Sequence, residues 1–321
     1  MALSLGTLSA YTRQSLKPLL TSAVFDAKTQ KLIMAEGIVL TKVKSSEAIP
    51  LMDTDAIFQV QSCSFDPSGT TAFTQRTVTV GKIKVEEKIC PNDLEAYFTQ
   101  EALKAGSTYE DFGNSEFQKA WLDKKNAKIA AANEVAIWQG DTDSTDANLK
   151  RYDGLIKLID AGSPVDANLS GMTGVSGSPI ATINASNVIS AFKGVRKAIP
   201  AAYKGKDGYK IFCGYDVWEL YQNALIDANN FHYTAVDQKN YEITIPGTTL
   251  KVIAVHGLNG TGDIYGLYMP HVCLATDKEA EENDYRMWYS EDNNDVRLSI
   301  KWKLGVNVAY TAECIKFKST V

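Results

Sequence analysis

The stretch "QGDTDSTDANLKRYDGLIKLI", residues 139–159, follows a long helix-like segment and sets four aspartates ahead of a short apolar run. It is a metal-binding loop, a catalytic acid cluster or only a corner, and the choice separates an enzyme from a building block. A calcium loop of the EF type needs acidic or amide side chains at its first, third and fifth positions. It also needs glycine at the sixth and a bidentate glutamate at the twelfth. Counted from Asp141, those positions hold Asp141, Asp143, Thr145, Asp146 and Tyr152. The pattern fails at the glycine and at the glutamate. A solvated turn with helix C-cap chemistry is the better reading.

Upstream of this corner, a long helix is expected from about Ser115 to Gln139, ended by Gly140. Phe117, Ala120, Trp121, Ala131, Ala132, Val135 and Trp138 fall on one stripe of it, interrupted by Lys124 and Lys128. "CPNDLEAYFTQEALKAG", residues 90–106, reads as a shorter helix capped by Asn92 or Asp93. Before it lie two β-like runs, residues 56–65 and 73–89, joined by the turn-rich "DPSGTTA". Together they predict a long hairpin over 56–89 with a polar tip at Asp66, Pro67, Ser68, Gly69, Thr70 and Thr71. An isolated two-stranded ribbon is marginal in water, so this one must lie on another surface. Residues 1–50 show little periodicity and read as an extended arm that packs on something else.

Downstream, "DAGSPVDANLSGMTGVSGSP" is a Gly/Ser-rich loop. A helix follows, "NASNVISAFKGVRKAIP", with Asn184 or Ser186 as cap. Then come the strand "YKIFCG", the helix "YDVWELYQNALIDANN" and the strands "YEITI", "LKVIAV", "IYGLYM" and "VCLAT". This is an α+β unit with its own core. The tail from residue 285 reads as a set of long antiparallel strands. No internal repeat is visible.

The bulk properties narrow the function. Hydrophobic residues make up 45% and charged residues 22% of 321, enough to bury a sizeable core. The net charge of −5 lacks the basic excess of a dedicated nucleic-acid binder. Cys63, Cys90, Cys213, Cys273 and Cys314 are odd in number, widely spaced and free of any CxxC, so buried thiols fit better than a disulfide scaffold or a zinc site. The opening "MALSLGTLSAYTRQSLKPLL" does not read as a signal peptide, and no run approaches the length of a membrane span.

Candidate chemistry is sparse. His232, His256 and His271 share no ligand spacing. No GxSxG elbow occurs. "GLNGTGDIYG" precedes a strand instead of following one and lacks the dinucleotide spacing. Cys213 sits between a strand and a helix, but the sequence offers it no nearby base. The acidic run "DKEAEEND" and the basic run "DKKNAK" read as solvated faces, with cation or phosphate contact as the alternative. No cofactor is expected.

The order of parts resembles the major capsid proteins of tailed phages, the Hong Kong phage shell fold. "SGTTAFTQRTVTVGKIKVEEKICPNDLEAYF" looks like the extended loop and the start of the peripheral domain in capsids of phages infecting Bacteroides-like hosts. "EVAIWQGDTDSTDANLKRYDGLIKLI" resembles the end of the spine helix, "YKIFCGYDVWELYQNAL" the axial domain and "IKWKLGVNVAYTAECIKF" the closing strands. The resemblance implies an N-terminal arm (1–55), an extended hairpin loop (56–89), a peripheral domain with the spine helix (90–153), an axial domain (154–284) and closing strands of the peripheral domain (285–321). It further implies a virion protein, assembled in a bacterial cytoplasm, that forms pentamers and hexamers around double-stranded DNA with a separate scaffolding protein and a portal. Lys124, Lys125 and Lys128 on the spine helix are then the candidates to face DNA. Some relatives carry a cleaved scaffold domain or link a loop lysine to a neighbour's asparagine. Here about fifty residues precede the hairpin, and its expected tip holds no lysine. A cargo-holding nanocompartment of the same fold is the alternative, and a cytoplasmic enzyme with an unrecognised site is the alternative from another class.

Overall fold

A computed structural model of the chain describes residues 28–61, 63, 65–89, 116–169, 179–228, 241–245, 247–277, 285–290, 292–293 and 295–318. In chain order these form α1 (Lys28–Glu36), β1 (Ile38–Leu40), β2 (Ser46–Thr54), β3 (Thr71–Thr79), β4 (Gly81–Ile89), α2 (Glu116–Gln139), α3 (Leu155–Asp160), β5 (Val165–Asp166) and α4 (Val188–Ala198). There follow β6 (Tyr209–Cys213), α5 (Tyr215–Asp227), β7 (Glu242–Thr244), β8 (Lys251–Ala254), β9 (Ile264–Tyr268), β10 (Val272–Thr276), β11 (Tyr285–Ser290), β12 (Asp295–Val308) and β13 (Ile315–Phe317). The expected helix over 90–106 lies outside the described residues, as do 170–178 of the Gly/Ser loop, His232 and 278–284 of the acidic run.

Two sheets organise the chain. In the five-stranded sheet β12 is central. Leu304 pairs with Thr276 of β10 on one side and with Gly81 of β4 on the other. β11 extends the sheet along the first half of β12, and β1 joins β10 in parallel. The six-stranded sheet has the order β5-β13-β9-β6-β8-β7. Its inner strands are near-continuous apolar runs because both faces are covered. Side chains alternate across a strand, so Ile211, Cys213, Val252 and Ala254 enter a core with α4 and α5. Phe212, Ile253, Tyr265 and Leu267 enter a second core with α2, shared with the five-stranded sheet. One core therefore spans what reads in sequence as two separate units.

Several expectations are corrected. The long helix runs over 24 residues, about 36 Å at the helical rise, but its buried stripe has a different phase. Leu122, Asn126, Ile129, Ala130, Asn133, Ala136 and Ile137 are buried, whereas Ala131 is exposed and Ala132 and Val135 are half-buried. Two asparagines within the stripe hid it from an apolar-periodicity reading. Strand β10, grouped in sequence with the α+β unit, belongs to the five-stranded sheet, and β13, grouped with the tail, belongs to the six-stranded one. From residue 28 onward the arm packs on its own chain. Thr29, Gln30 and Ile33 of α1 are buried, and β1 is a sheet strand.

The corner after α2 has a specific construction. Gly154 donates its N–H to the Gly140 carbonyl at 2.8 Å. A Cβ on Gly154 would fall 2.6 Å from both Gly140 N and Trp138 O, so close backbone approach sets the glycine here. The aspartates turn inward on a lysine of the same stretch. Lys157 Nζ lies 2.6 Å from Asp141, 2.7 Å from Asp143 and 3.0 Å from Asp153. The hydrogen bond from Lys157 holds the Asp141 carboxyl below the usual carboxylate range, and the three aspartates raise the Lys157 ammonium. Asp146 instead accepts the Asn148 N–H at 2.8 Å in an Asx-turn. The acidic stretch is a corner, stapled by Lys157.

Candidate assembly surface

Ser46 to Thr54 carry polar and charged residues around one proline, and Thr71 to Thr79 are rich in threonine, a good strand former. The two segments pair antiparallel, Ser46 opposite Thr79 through to Thr54 opposite Thr71. Nine residues of strand reach about 30 Å. Pro50 is tolerated because a two-stranded ribbon consists of edges. This pairing corrects the expected hairpin. Its outgoing strand is β2, not residues 56–65, which form no strand among the described residues. The connecting loop is residues 55–70. Asp66, Pro67, Ser68, Gly69 and Thr70 lie in that loop, and Thr71 opens β3.

Among the described residues of the two strands, Ile49 and Val78 are buried, Leu51 and Arg76 are half-buried and the rest are exposed. Val43, Ile49, Val78 and Val80 form a small core with Cys273 and Ala275. Three hydrogen bonds then tie it to the body. Arg76 donates to the Thr311 hydroxyl at 3.1 Å, Asn307 Nδ2 to the Thr77 carbonyl at 2.7 Å and Tyr310 Oη to the Met52 carbonyl at 3.1 Å. At the far end Thr70 N–H donates to Asp55 Oδ1 at 2.5 Å and closes the loop neck. Large apolar side chains project there without cover. Phe58 is 99% exposed, Val60 and Phe65 91% each, and Phe73 77%. The sequence signal was present but misassigned. "IFQVQ" alternates like a half-buried strand, and periodicity does not say which chain does the burying.

On α2, Lys124 and Lys128 are exposed. Lys125 is half-buried and ion-paired with Glu87 of β4, so it ties the helix to the sheet. Among the described residues, no group of three or more His, Cys, Asp or Glu side chains is placed to hold a metal ion. His271 Nδ1 and Glu313 Oε2 are 2.8 Å apart. Cys213 is fully buried, and burial pushes its thiol far above the ordinary range. Asp277, the described member of the acidic run, is buried and paired with Lys303 at 2.5 Å. "GLNGTGDIYG" starts in a short helical turn over His256–Leu258, and its last three residues open β9.

No family model matches the chain, and no curated protein does. Solved structures do. The Satellite phage P4 procapsid, including its size determination (Sid) protein, matches with a TM-score of 0.59 at 10% identity, over 95% of this chain and 90% of that chain. The capsid of an empty GTA particle gives 0.54 at 12% identity, over 90% and 89%. The capsid of Myoviridae phage XM1 gives 0.50 at 10% identity, over 89% and 90%. The chain has the fold of phage capsid proteins. The mixed α+β architecture expected from the order of parts is thereby shown. The narrower likeness to capsids of phages of Bacteroides-like hosts draws no support from these structures.

Proposed function

We propose that this chain is the major capsid protein of a tailed-phage-like particle, with a structural and not an enzymatic role, and that it self-associates into pentamers and hexamers enclosing double-stranded DNA. The observation that carries the proposal is the apolar end of the hairpin, held on a ribbon whose strand residues are mostly exposed. Burying one such side chain is worth about 1.5–3 kcal/mol. A contiguous exposed apolar patch in a soluble protein marks an interaction site or an aggregation liability. A neighbouring copy that covers Phe58, Val60 and Phe65 satisfies the first and removes the second. Assembly then rests on many moderate contacts per copy. A scaffolding protein and a portal complete the set of partners, and Lys124 and Lys128 offer the packaged DNA weak, sequence-independent contacts. Lys125 drops out of that set because Glu87 already pairs with it.

The experiment is the triple change Phe58→Ser, Val60→Ser, Phe65→Ser. All three side chains are exposed in the single chain, so circular dichroism and the melting temperature of the unassembled protein stay as in the parent while the yield of shells falls sharply. Shells formed at parental yield and stability would sink the proposal.

A further inference from the structure

A cavity of about 750 Å³ lies at the β7–β8 end of the six-stranded sheet, lined by Arg196, Lys204, Gly205, Gly247, Thr248, Thr249 and the buried Leu250. Two segments build it. One is the last turn of α4, which carries Arg196, with the short helical turn after it that ends before Lys204. The other is the turn between β7 and β8. Gly205 and Gly247 sit at φ of 89° and 73°, the left-handed region that favours glycine. The β7–β8 turn is braced from within. The Thr248 hydroxyl donates to the Ile245 carbonyl at 2.8 Å and accepts the Leu250 N–H at 3.3 Å.

What lines the cavity is one-sided. Among the described residues it has two cations and no carboxylate. Neither Arg196 nor Lys204 is paired with a carboxylate among the described residues, although the chain as a whole carries a net charge of −5. The N–H groups of Gly205, Gly247 and Thr249 donate to no described atom. Neither cation has a described carboxylate to neutralise it, which leaves both available to an anion. Guanidinium presents a planar fork to oxyanions, ammonium a compact point charge, and backbone N–H groups in positive-φ turns are recurrent anion donors. Other cations on this chain have carboxylate partners, as in Lys125–Glu87, Lys210–Glu36 and Lys303–Asp277.

We propose that this cavity is a binding site for a phosphate-class oxyanion, held by Arg196 and Lys204 with help from the Thr249 hydroxyl and the turn amides. The inference stands apart from the assembly reading, since it concerns no hairpin residue. The anion comes either from a small polyphosphate or from the phosphates of a nucleic acid.

Titration calorimetry of the unassembled full chain at constant ionic strength tests this, with sodium tripolyphosphate in one arm and a short DNA duplex in the other. The proteins are the parent, the double variant Arg196→Gln/Lys204→Gln, and Lys150→Gln, an exposed lysine elsewhere, as control. Saturable tripolyphosphate binding that weakens at least about tenfold in the double variant and is unchanged in the control supports the site. If the duplex also binds, competes with tripolyphosphate and is lost in the same variant, the phosphates are those of nucleic acid. If only tripolyphosphate binds, the ligand is a small anion. The proposal is overturned if neither probe binds saturably, or if the double variant binds as the parent does. Both side chains are exposed, and an unchanged circular dichroism spectrum and melting temperature confirm that the variant folds.

Discussion

Replacing Thr29 by valine tests how the helix α1 locks the long helix in place. Glu134 and Trp138 stand one turn apart on α2, and both converge on Thr29. The Thr29 N–H donates to Glu134 Oε2 at 3.0 Å, and its hydroxyl donates to Glu134 Oε1. The same hydroxyl accepts the Trp138 indole N–H at 2.8 Å. All three residues are buried, and Trp138 packs on Phe212 and Tyr265 with ring centroids 5.3 and 6.0 Å apart. Valine keeps the shape and deletes the hydroxyl. The carboxylate loses a bond worth about 1.5–3 kcal/mol, and the indole N–H is left buried without a partner at about 1–3 kcal/mol. The expected cost is about 3–5 kcal/mol at neutral pH. At a urea slope near 3 kcal/mol/M the unfolding midpoint drops by about 1–1.7 M. The effect also depends on pH. Burial raises the Glu134 carboxyl above its ordinary 4.5, with the Thr29 bonds acting against that rise. A raised folded value means the folded state holds the proton more tightly. Its contribution is therefore full below the unfolded value and is lost as pH rises through the folded one. Valine raises the folded value further, so the gap between variant and parent falls in acid to the part set by the unpaired indole N–H and widens as pH rises through the folded values. Tryptophan fluorescence on urea gradients at several pH values reads both. A loss under about 1 kcal/mol, or a gap that does not change with pH, would refute the reasoning.

Other outcomes follow from the same structure. Gly154→Ala places a Cβ 2.6 Å from two backbone atoms, neither of which can swing away, and should cost about 1–3 kcal/mol of stability by urea unfolding. Mature particles boiled in denaturing detergent with reductant should run as one band of monomer mass, because residues 55–70 contain no lysine to form a crosslink; a ladder of larger species contradicts this. Lys124→Gln/Lys128→Gln should leave shell yield unchanged while filled particles release DNA at lower temperature in low salt. Equal retention at every salt concentration would make these two lysines an ordinary solvated helix face.

The parts of the fold legible in sequence are those whose burial lies within the chain. "YKIFCG" reads as a strand because both of its faces are covered, and α5 follows it with an intact apolar face. Strand β2 was unreadable for the opposite reason. Its residues are mostly exposed, carry charges and include Pro50, so neither burial nor propensity marks them. The phase of α2 was lost to Asn126 and Asn133, which sit in the buried stripe where periodicity expects apolar residues. The partnership of β10 with β12 rather than with its neighbours in sequence is a long-range pairing that local pattern does not encode. The staple at Lys157 was within reach, since Asp153 and Lys157 are four apart, but three aspartates on one lysine depend on how the loop folds back. The hairpin was legible as an exposed element. Its apolar end was not, because alternation in residues 56–65 looked like a strand of the same chain.

On the function proposed above, this chain buries its hairpin in copies of itself. Sedimentation velocity of the purified full chain, with negative-stain images of the same sample, measures this directly. Rings, tubes or closed shells sedimenting far ahead of a single chain are expected, and they should be lost when Phe58, Val60 and Phe65 are changed to serine. A compact monomer or dimer at every concentration and salt condition would contradict it.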